Sequence, residues 1–279
     1  MTRYPVIPLN DGHQLPSIGF GTYPLTGEEG AAAVASALRT GYRLIDTAVN
    51  YENEEAVGRG LRESGIARGE VTVTTKLPGR DHGYDNTLRS FEGSLERLGL
   101  DHIDLYLIHW PNPSVNKYAD SWRAMVELRD QGRVGSIGVS NFTEEFLTRL
   151  LAETGVFPAV NQVELHPYFP QKSLLEFHRE HGIATEAWSP LGKRAAPYNE
   201  PVVVEIAAAH GVTPAQVVLR WHLERGVVPL PKSASPERQA ENFDVLGFSL
   251  ERSEIDAITA LGRIDGRLFG GDPNTHEEM

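Results

Sequence analysis

The sequence contains no cysteine, which removes disulfides, thiol nucleophiles and thiolate metal sites from consideration. It has no uninterrupted apolar stretch near the ~20 residues that cross a bilayer. The opening MTRYPVIPLNDGHQLPSIGF has no apolar core of roughly 7–15 residues behind basic ones, so it does not read as a secretory signal. Positive charge is in deficit. With 26 Lys and Arg against 38 Asp and Glu, the net charge is −12, which argues against non-specific binding to nucleic acid or anionic membranes. A soluble cytoplasmic protein is the expectation, with room for a local basic pocket that takes one phosphate.

Two motifs are also missing. A complete Gly-x-Gly-x-x-Gly would announce an open doubly wound dinucleotide sheet, but GFGTYP puts Pro24 in the third glycine's place. The ten histidines show no metal-ligand spacing; His178 and His181 stand i, i+3 on a predicted helix without a third ligand, and read as a solvated face. No metal is expected.

What is present is alternation. VIPL, Asn10-Asp11-Gly12 and HQLP read as a hairpin, because Asp-Gly supplies the positive φ of a tight turn. Eight short apolar, β-branched runs then start near residues 17, 43, 71, 104, 134, 159, 183 and 227. Helical spacing fills each gap. Val34, Ala37 and Leu38 share one face, with Thr26 and Glu29 at capping-box spacing and Gly41 as the stop; Val57 and Leu61 share another, closed by Gly65. Thr213-Pro214 and Ser235-Pro236 each read as a helix start, and the last gap holds two helices, near 200–210 and 213–225. Eight strand–helix units close into a (β/α)8 barrel without leaving a sheet edge, in a chain of the usual size of about 250 residues. A single domain over 1–279 is expected, with a hairpin at 1–15 and a tail at 263–279.

The catalytic end of such a barrel is formed by the C-terminal ends of its strands. The second run ends in Asp46, the third in Lys76 and the fourth in His109, and Tyr51 lies on the loop after the second. Four ionisable groups from adjacent strands would converge on one rim. A free tyrosine titrates near pH 10; an ammonium at ~4 Å in an effective dielectric of ~20 interacts with it by roughly 4 kcal/mol, enough to lower its pKa by up to about three units. Lys76 would supply that field, Asp46 would hold Lys76 in place, and His109 would orient a carbonyl towards Tyr51 as general acid. Each residue alone has a plainer reading: a helix cap for Asp46, a surface ring for Tyr51, a snorkelling chain for Lys76, a core imidazole for His109.

GFGTY, DTAVNYENE, TTKL, DLYLIHWP, GSIGVSNF, NQVELHP, WSPLG and PKS followed by ER occur in that order over roughly residues 5 to 262. In this the chain resembles the aldo-keto reductase superfamily, most like its bacterial 2,5-diketo-D-gluconate reductase branch. The resemblance implies NADPH-dependent reduction of aldehydes, ketones or dicarbonyls to alcohols by a monomer, with Asp46, Tyr51, Lys76 and His109 as the catalytic tetrad and Tyr51 as proton donor. It further implies that Ser140, Asn141 and Gln162 hold the nicotinamide carboxamide and that Trp188, a tyrosine in most relatives, stacks on its ring. Gly21, Thr22, Ser189 and Leu191 would line the pyrophosphate and ribose path. Lys232, Ser233 and Arg238 would take the adenosine 2′-phosphate, and Asn242 the adenine. The residues support the phosphate site independently, because Lys232 ends a strand and Arg238 lies in the first turn of a helix.

Pro78 stands where many relatives carry a pocket-walling tryptophan. Tyr23, Val49, Trp110 and Leu268 or Phe269 are the other candidate pocket residues, and the tail, short and rich in Gly and polar residues, is read as a mobile flap or, equally, a disordered end. Two other classes compete. A barrel hydrolase or isomerase could use Asp46 with Glu164 or Glu186, but leaves Lys76, Asn141 and the Lys232/Arg238 pair without a task. A redox sensor could bind NADPH and turn over slowly. Tyr and Lys here are 25 residues apart, unlike the Tyr-x-x-x-Lys of short-chain dehydrogenases.

Overall fold

The computed structural model describes residues 5–268 and 270–279; Phe269, a candidate pocket residue, lies outside the described residues. Asp11-Gly12 turns the chain between β1 (Val6–Pro8) and β2 (Gln14–Pro16), which pair antiparallel, with Gly12 at φ 92°. Eight parallel strands follow in chain order: β3 (Phe20–Gly21), β4 (Leu44–Asp46), β5 (Thr72–Leu77), β6 (Ile103–Ile108), β7 (Val134–Ser140), β8 (Val160–Glu164), β9 (Ala184–Trp188) and β10 (Val227–Pro229). Each of the eight runs read from the sequence is one of these strands.

The ring closes where β3 meets β10. Gly19 N–H donates to the Pro229 carbonyl (3.0 Å) and Gly21 N–H to that of Pro231 (3.1 Å). Glycine is required at this seam, since a Cβ on Gly21 would lie 2.9 Å from the Leu230 carbonyl oxygen and one on Gly19 2.5 Å from its side chain.

Helices cover the outside: α1 (Gly27–Thr40), α2 (Glu54–Ser64), α3 (Tyr84–Leu98), α4 (Tyr118–Asp130), α5 (Glu144–Thr154) and α6 (Lys172–Glu180) each follow one strand. The pair α7 (Pro201–His210) and α8 (Pro214–Glu224) fills the long gap before β10, and α9 (Pro236–Phe243) and α10 (Arg252–Thr259) come after it. The fold is the expected barrel with its hairpin and additional late helices.

Capping followed the sequence at α8, where Thr213 and Gln216 form a reciprocal box, and at α9, where Ser235 Oγ accepts from Arg238 N–H. It did not at α1: Thr26 makes no side-chain cap bond. Gly27 enters that helix at φ 58°, outside the helical region, and so takes the Thr26 hydroxyl out of line with the first free amides. His178 is a second correction. It is buried rather than solvated, with one ring nitrogen 3.0 Å from Asn161 Nδ2 and the other 2.8 Å from Thr185 Oγ1.

Two apolar layers result from strand alternation. Leu44, Leu105, Leu107, Val160, Val228 and Leu230 pack inside the ring, closed from below by Leu9 and Leu15 beside the hairpin turn. Their neighbours Ile45, Tyr106, Ile108 and Val139 face the helices.

Candidate active site

The two-residue period of a strand carries the inward-facing set up to the rim. Leu44 points inward, so Asp46 does; Leu105 and Leu107 point inward, and His109 continues the series one step beyond β6. By the same parity Gln162 follows Val160, and Glu186 and Trp188 follow Ala184. A polar cluster thus sits above the inner leucines.

Lys76 has no exposed surface. Its Nζ lies 2.8 Å from both Asp46 carboxylate oxygens, 2.8 Å from the Thr47 carbonyl oxygen and 3.3 Å from Tyr51 Oη. Burial pulls the ammonium pKa down, but Asp46 and Tyr51 outweigh it and hold Lys76 above the ordinary lysine value. Tyr51 ends a short 3₁₀ turn, Val49–Tyr51, and its ring centre is 5.6 Å from that of His109. The four residues expected to converge do so.

The phenol differs from expectation. Lys76 lowers the Tyr51 pKa as anticipated, but burial raises it more, with Asp46 and Glu278 adding to the rise, and the phenol is pushed up to about 12. The sequence argument counted the ammonium's field and not the loss of water. His109 is held well below the usual histidine range by burial, then by Lys76 and His276, so its imidazole is neutral.

Behind the tetrad a second layer fixes Asp46. Gln162 Nε2 donates to Asp46 (2.8 Å) and to Glu186 (2.8 Å). Burial, then the Asp46 charge, raise the Glu186 carboxyl to about 8, so it is protonated at neutral pH. Glu164 is buried against His166 (3.0 Å) and the Leu268 amide (2.7 Å). Asp46, Glu164 and Glu186 are therefore each engaged in holding other groups, which counts against their use as a hydrolytic acid–base pair.

The expected cofactor residues line the rim beyond. Ser140 Oγ donates to the Gln162 carbonyl (2.8 Å); Asn141, at φ 64°, donates to the His109 carbonyl (3.1 Å) and accepts from Trp188 Nε1 (2.8 Å). The half-buried Trp188 ring is thereby oriented by a hydrogen bond. Ser189 has a left-handed backbone (φ 50°) and Leu191 is half-buried. Thr22 is buried, its hydroxyl bonded to the Asp46 carbonyl (2.9 Å), and Gly21 belongs to the barrel seam. Ser233 and Asn242 are buried, whereas Lys232 and Arg238 are exposed at the entry to α9. Two exposed cations beside a capped helix start suit an anion.

Of the candidate pocket residues, Trp110 and Pro78 are buried and Val49 half-buried, whereas Tyr23 is 52% exposed with its ring 5.2 Å from that of Tyr51. The tail read as a flap is folded across the rim. His276 lies against Trp110 (ring centres 4.2 Å apart), Asn112 Nδ2 donates to the Glu278 carbonyl (2.6 Å), and Asn50 Nδ2 donates to the Glu278 carboxylate (3.0 Å). Asn50, Arg80, Asn112 and Glu278 were missed by sequence reasoning. Only Asn50, beside Tyr51, carried a signal.

A buried ammonium against a phenol at the catalytic end of a β/α barrel defines an enzyme of the acid–base type. The aldo/keto reductase family model matches residues 17–263. The 2,5-diketo-D-gluconic acid reductase B of Corynebacterium sp. (strain SHS752001) is 58% identical over 279 residues, all of both chains. Methylglyoxal reductase DkgA of Yersinia pestis is 44% identical over 98% of each chain. A mutant of Gox0644, solved in complex with NADPH, superposes with a TM-score of 0.94 at 48% identity over 99% of each chain. The chain belongs to the aldo/keto reductase family.

Proposed function

We propose that Asp46, Tyr51, Lys76 and His109 reduce the carbonyl of small dicarbonyl compounds in this protein. The chain is an NADPH-dependent oxidoreductase that converts aldehydes and ketones to alcohols. The cofactor supplies the hydride. Every other role falls to residues of this chain. His109, neutral and next to Tyr51, donates to the carbonyl oxygen and fixes its direction. Tyr51 stays protonated until charge develops on that oxygen, then gives up its proton, and Lys76 stabilises the phenolate left behind. The observation that carries this reading is the 3.3 Å contact between a fully buried ammonium and the Tyr51 hydroxyl.

In this reading Trp188, held by its bond to Asn141, stacks on the nicotinamide, and Ser140, Asn141 and Gln162 bind its carboxamide. Lys232, Ser233 and Arg238 fit a 2′-phosphate, and Asn242 the adenine. All four tetrad residues come from one chain, so a single-domain monomer is sufficient for catalysis. Residence in the cytoplasm, where NADPH is maintained, fits the absence of cysteine. Likeness to the methylglyoxal reductase and the diketogluconic acid reductase supports the dicarbonyl class.

The test is a tryptophan-fluorescence titration with NADPH, then addition of methylglyoxal while absorbance at 340 nm is followed, in wild type and Tyr51→Phe. Expected are tight binding in both, within roughly twofold, and a loss of turnover on the order of 10²–10⁴ in the variant. Binding without oxidation in wild type would favour a redox sensor.

A further inference from the structure

Gln162 on β8 and Glu186 on β9 stand side by side in register, both inward-facing and both buried. Asp46 ends β4, four strands from β8 in a ring of eight, and so projects from the opposite wall. One amide nitrogen joins the three: Gln162 Nε2 donates to Asp46 Oδ1 and to Glu186 Oε2, each at 2.8 Å. A side chain of one wall thereby reaches across the barrel to the carboxylate that holds Lys76.

A glutamine amide has two N–H groups and one oxygen to place. Gln162 spends both N–H groups on carboxyls. The reverse orientation would set its oxygen against the Asp46 carboxylate. The oxygen therefore points away from both, and it accepts no hydrogen bond among the described residues. Held by Asp46 alone, the amide would pivot about a single bond; the second bond, from the neighbouring strand, removes that freedom. Glu186 has no other task, since its Oε1 is buried without a partner among the described residues. Burial and the Asp46 charge keep it protonated at neutral pH, so it adds an acceptor beside Asp46 without adding a charge.

We propose that Glu186 is a positioning residue for the cofactor: by taking the second N–H of Gln162 it pins the amide with its oxygen outward, ready to accept from the nicotinamide carboxamide. The proposal rests on the reading that Gln162 binds that carboxamide. It adds the group that orients Gln162, on a strand next to the one that carries it.

The 3-acetylpyridine analogue of NADP⁺ tests it, because a methyl group replaces the carboxamide NH₂ and nothing is left to donate to Gln162. Dissociation constants of NADP⁺ and the analogue are measured at pH 7 by tryptophan-fluorescence titration in wild type, Gln162→Met, Glu186→Leu and Glu186→Gln. Wild type should prefer NADP⁺ by about tenfold, the worth of an acceptor left unpaired, and Gln162→Met by less than about twofold. Glu186→Leu, which removes the bond to Gln162, should bring the preference below about threefold. Glu186→Gln should keep it within about twofold of wild type, since glutamine matches the protonated acid in length and charge and still accepts from Gln162. Glu186→Met replaces the leucine variant if that one does not fold. A residue that only supported the barrel would change the affinity for both dinucleotides and leave their ratio alone. An undiminished preference in Glu186→Leu overturns the proposal and spares the reading of Gln162; so does a preference lost equally in Glu186→Gln. No preference in wild type, or one unchanged in Gln162→Met, would remove Gln162 from the carboxamide and take the proposal with it.

Discussion

Lys76 carries a charge without any contact with water, and Asp46 is what makes that tolerable. Removing one partner of a buried ion pair strands the other, at a cost of about 3–5 kcal/mol, whereas removing both is far milder. Lys76→Met should therefore destabilise the fold by roughly that amount, and Asp46→Asn combined with Lys76→Met by less than the sum of the single changes. Urea unfolding of the three variants measures the coupling; additive effects would show that the pair is not a unit. The pair was legible in the sequence because Asp46 ends its strand and Lys76 is the last but one of the next, both with the inward parity. The rise in the Tyr51 pKa was not, since it depends on how much protein covers the ring. Nor was the burial of His178: an i, i+3 spacing says that two residues share a face, not which way the face looks.

At the scale of the element, α9 begins with Ser235-Pro236, and Ser235 caps it by accepting from Arg238 N–H (3.3 Å). This fixes the first turn, from which the exposed Arg238 side chain extends. If it meets a 2′-phosphate, Arg238→Ala should weaken NADPH binding by roughly 10–100-fold, the worth of a charge-assisted bond, and NADH binding by less than about threefold. Fluorescence titration with both cofactors decides, and equal losses would remove Arg238 from phosphate recognition. Elements were readable where local chemistry ruled: Pro at the first helical position, Asp-Gly at the hairpin, alternation in the strands. Thr26 shows the limit, because the same capping pattern as Thr213 was undone by the backbone of the next residue. The tail had no period to read, and Asn50, Trp110 and Asn112 place it from elsewhere in the chain.

At the scale of the whole molecule, burial holds four histidines neutral among the described residues: His82 at about 4, His178 and His222 at about 3, and His109 well below the usual range. Unfolded, each would take up a proton below pH ~6.5, so the unfolded chain binds more protons there and stability falls as pH drops. Glu186, raised to about 8, acts in the opposite sense: between pH ~4.3 and 8 the folded state keeps a proton that the unfolded chain has lost. Below pH ~6.5 the histidines outnumber it; above, their contribution ends and that of Glu186 continues. Stability of the apo protein should peak near pH ~6.5, and Glu186→Gln should flatten the alkaline side, by up to about 1.4 kcal/mol per pH unit. Unfolding midpoints from pH 5 to 8.5 check both; an unchanged alkaline slope would exclude Glu186 as its source.

The barrel seam is bonded in one direction only. Gly19 and Gly21 donate, while Pro229 and Pro231 have no N–H to return. Mechanically the ring is a stiff sheet with one compliant line, and strands β4 to β6, which carry the tetrad, are laddered on both sides away from it. That line runs out into Lys232 and Ser233, so if these residues grip an adenosine phosphate, as proposed, the load of holding and releasing it falls where the barrel can flex and the reacting corner is spared the strain.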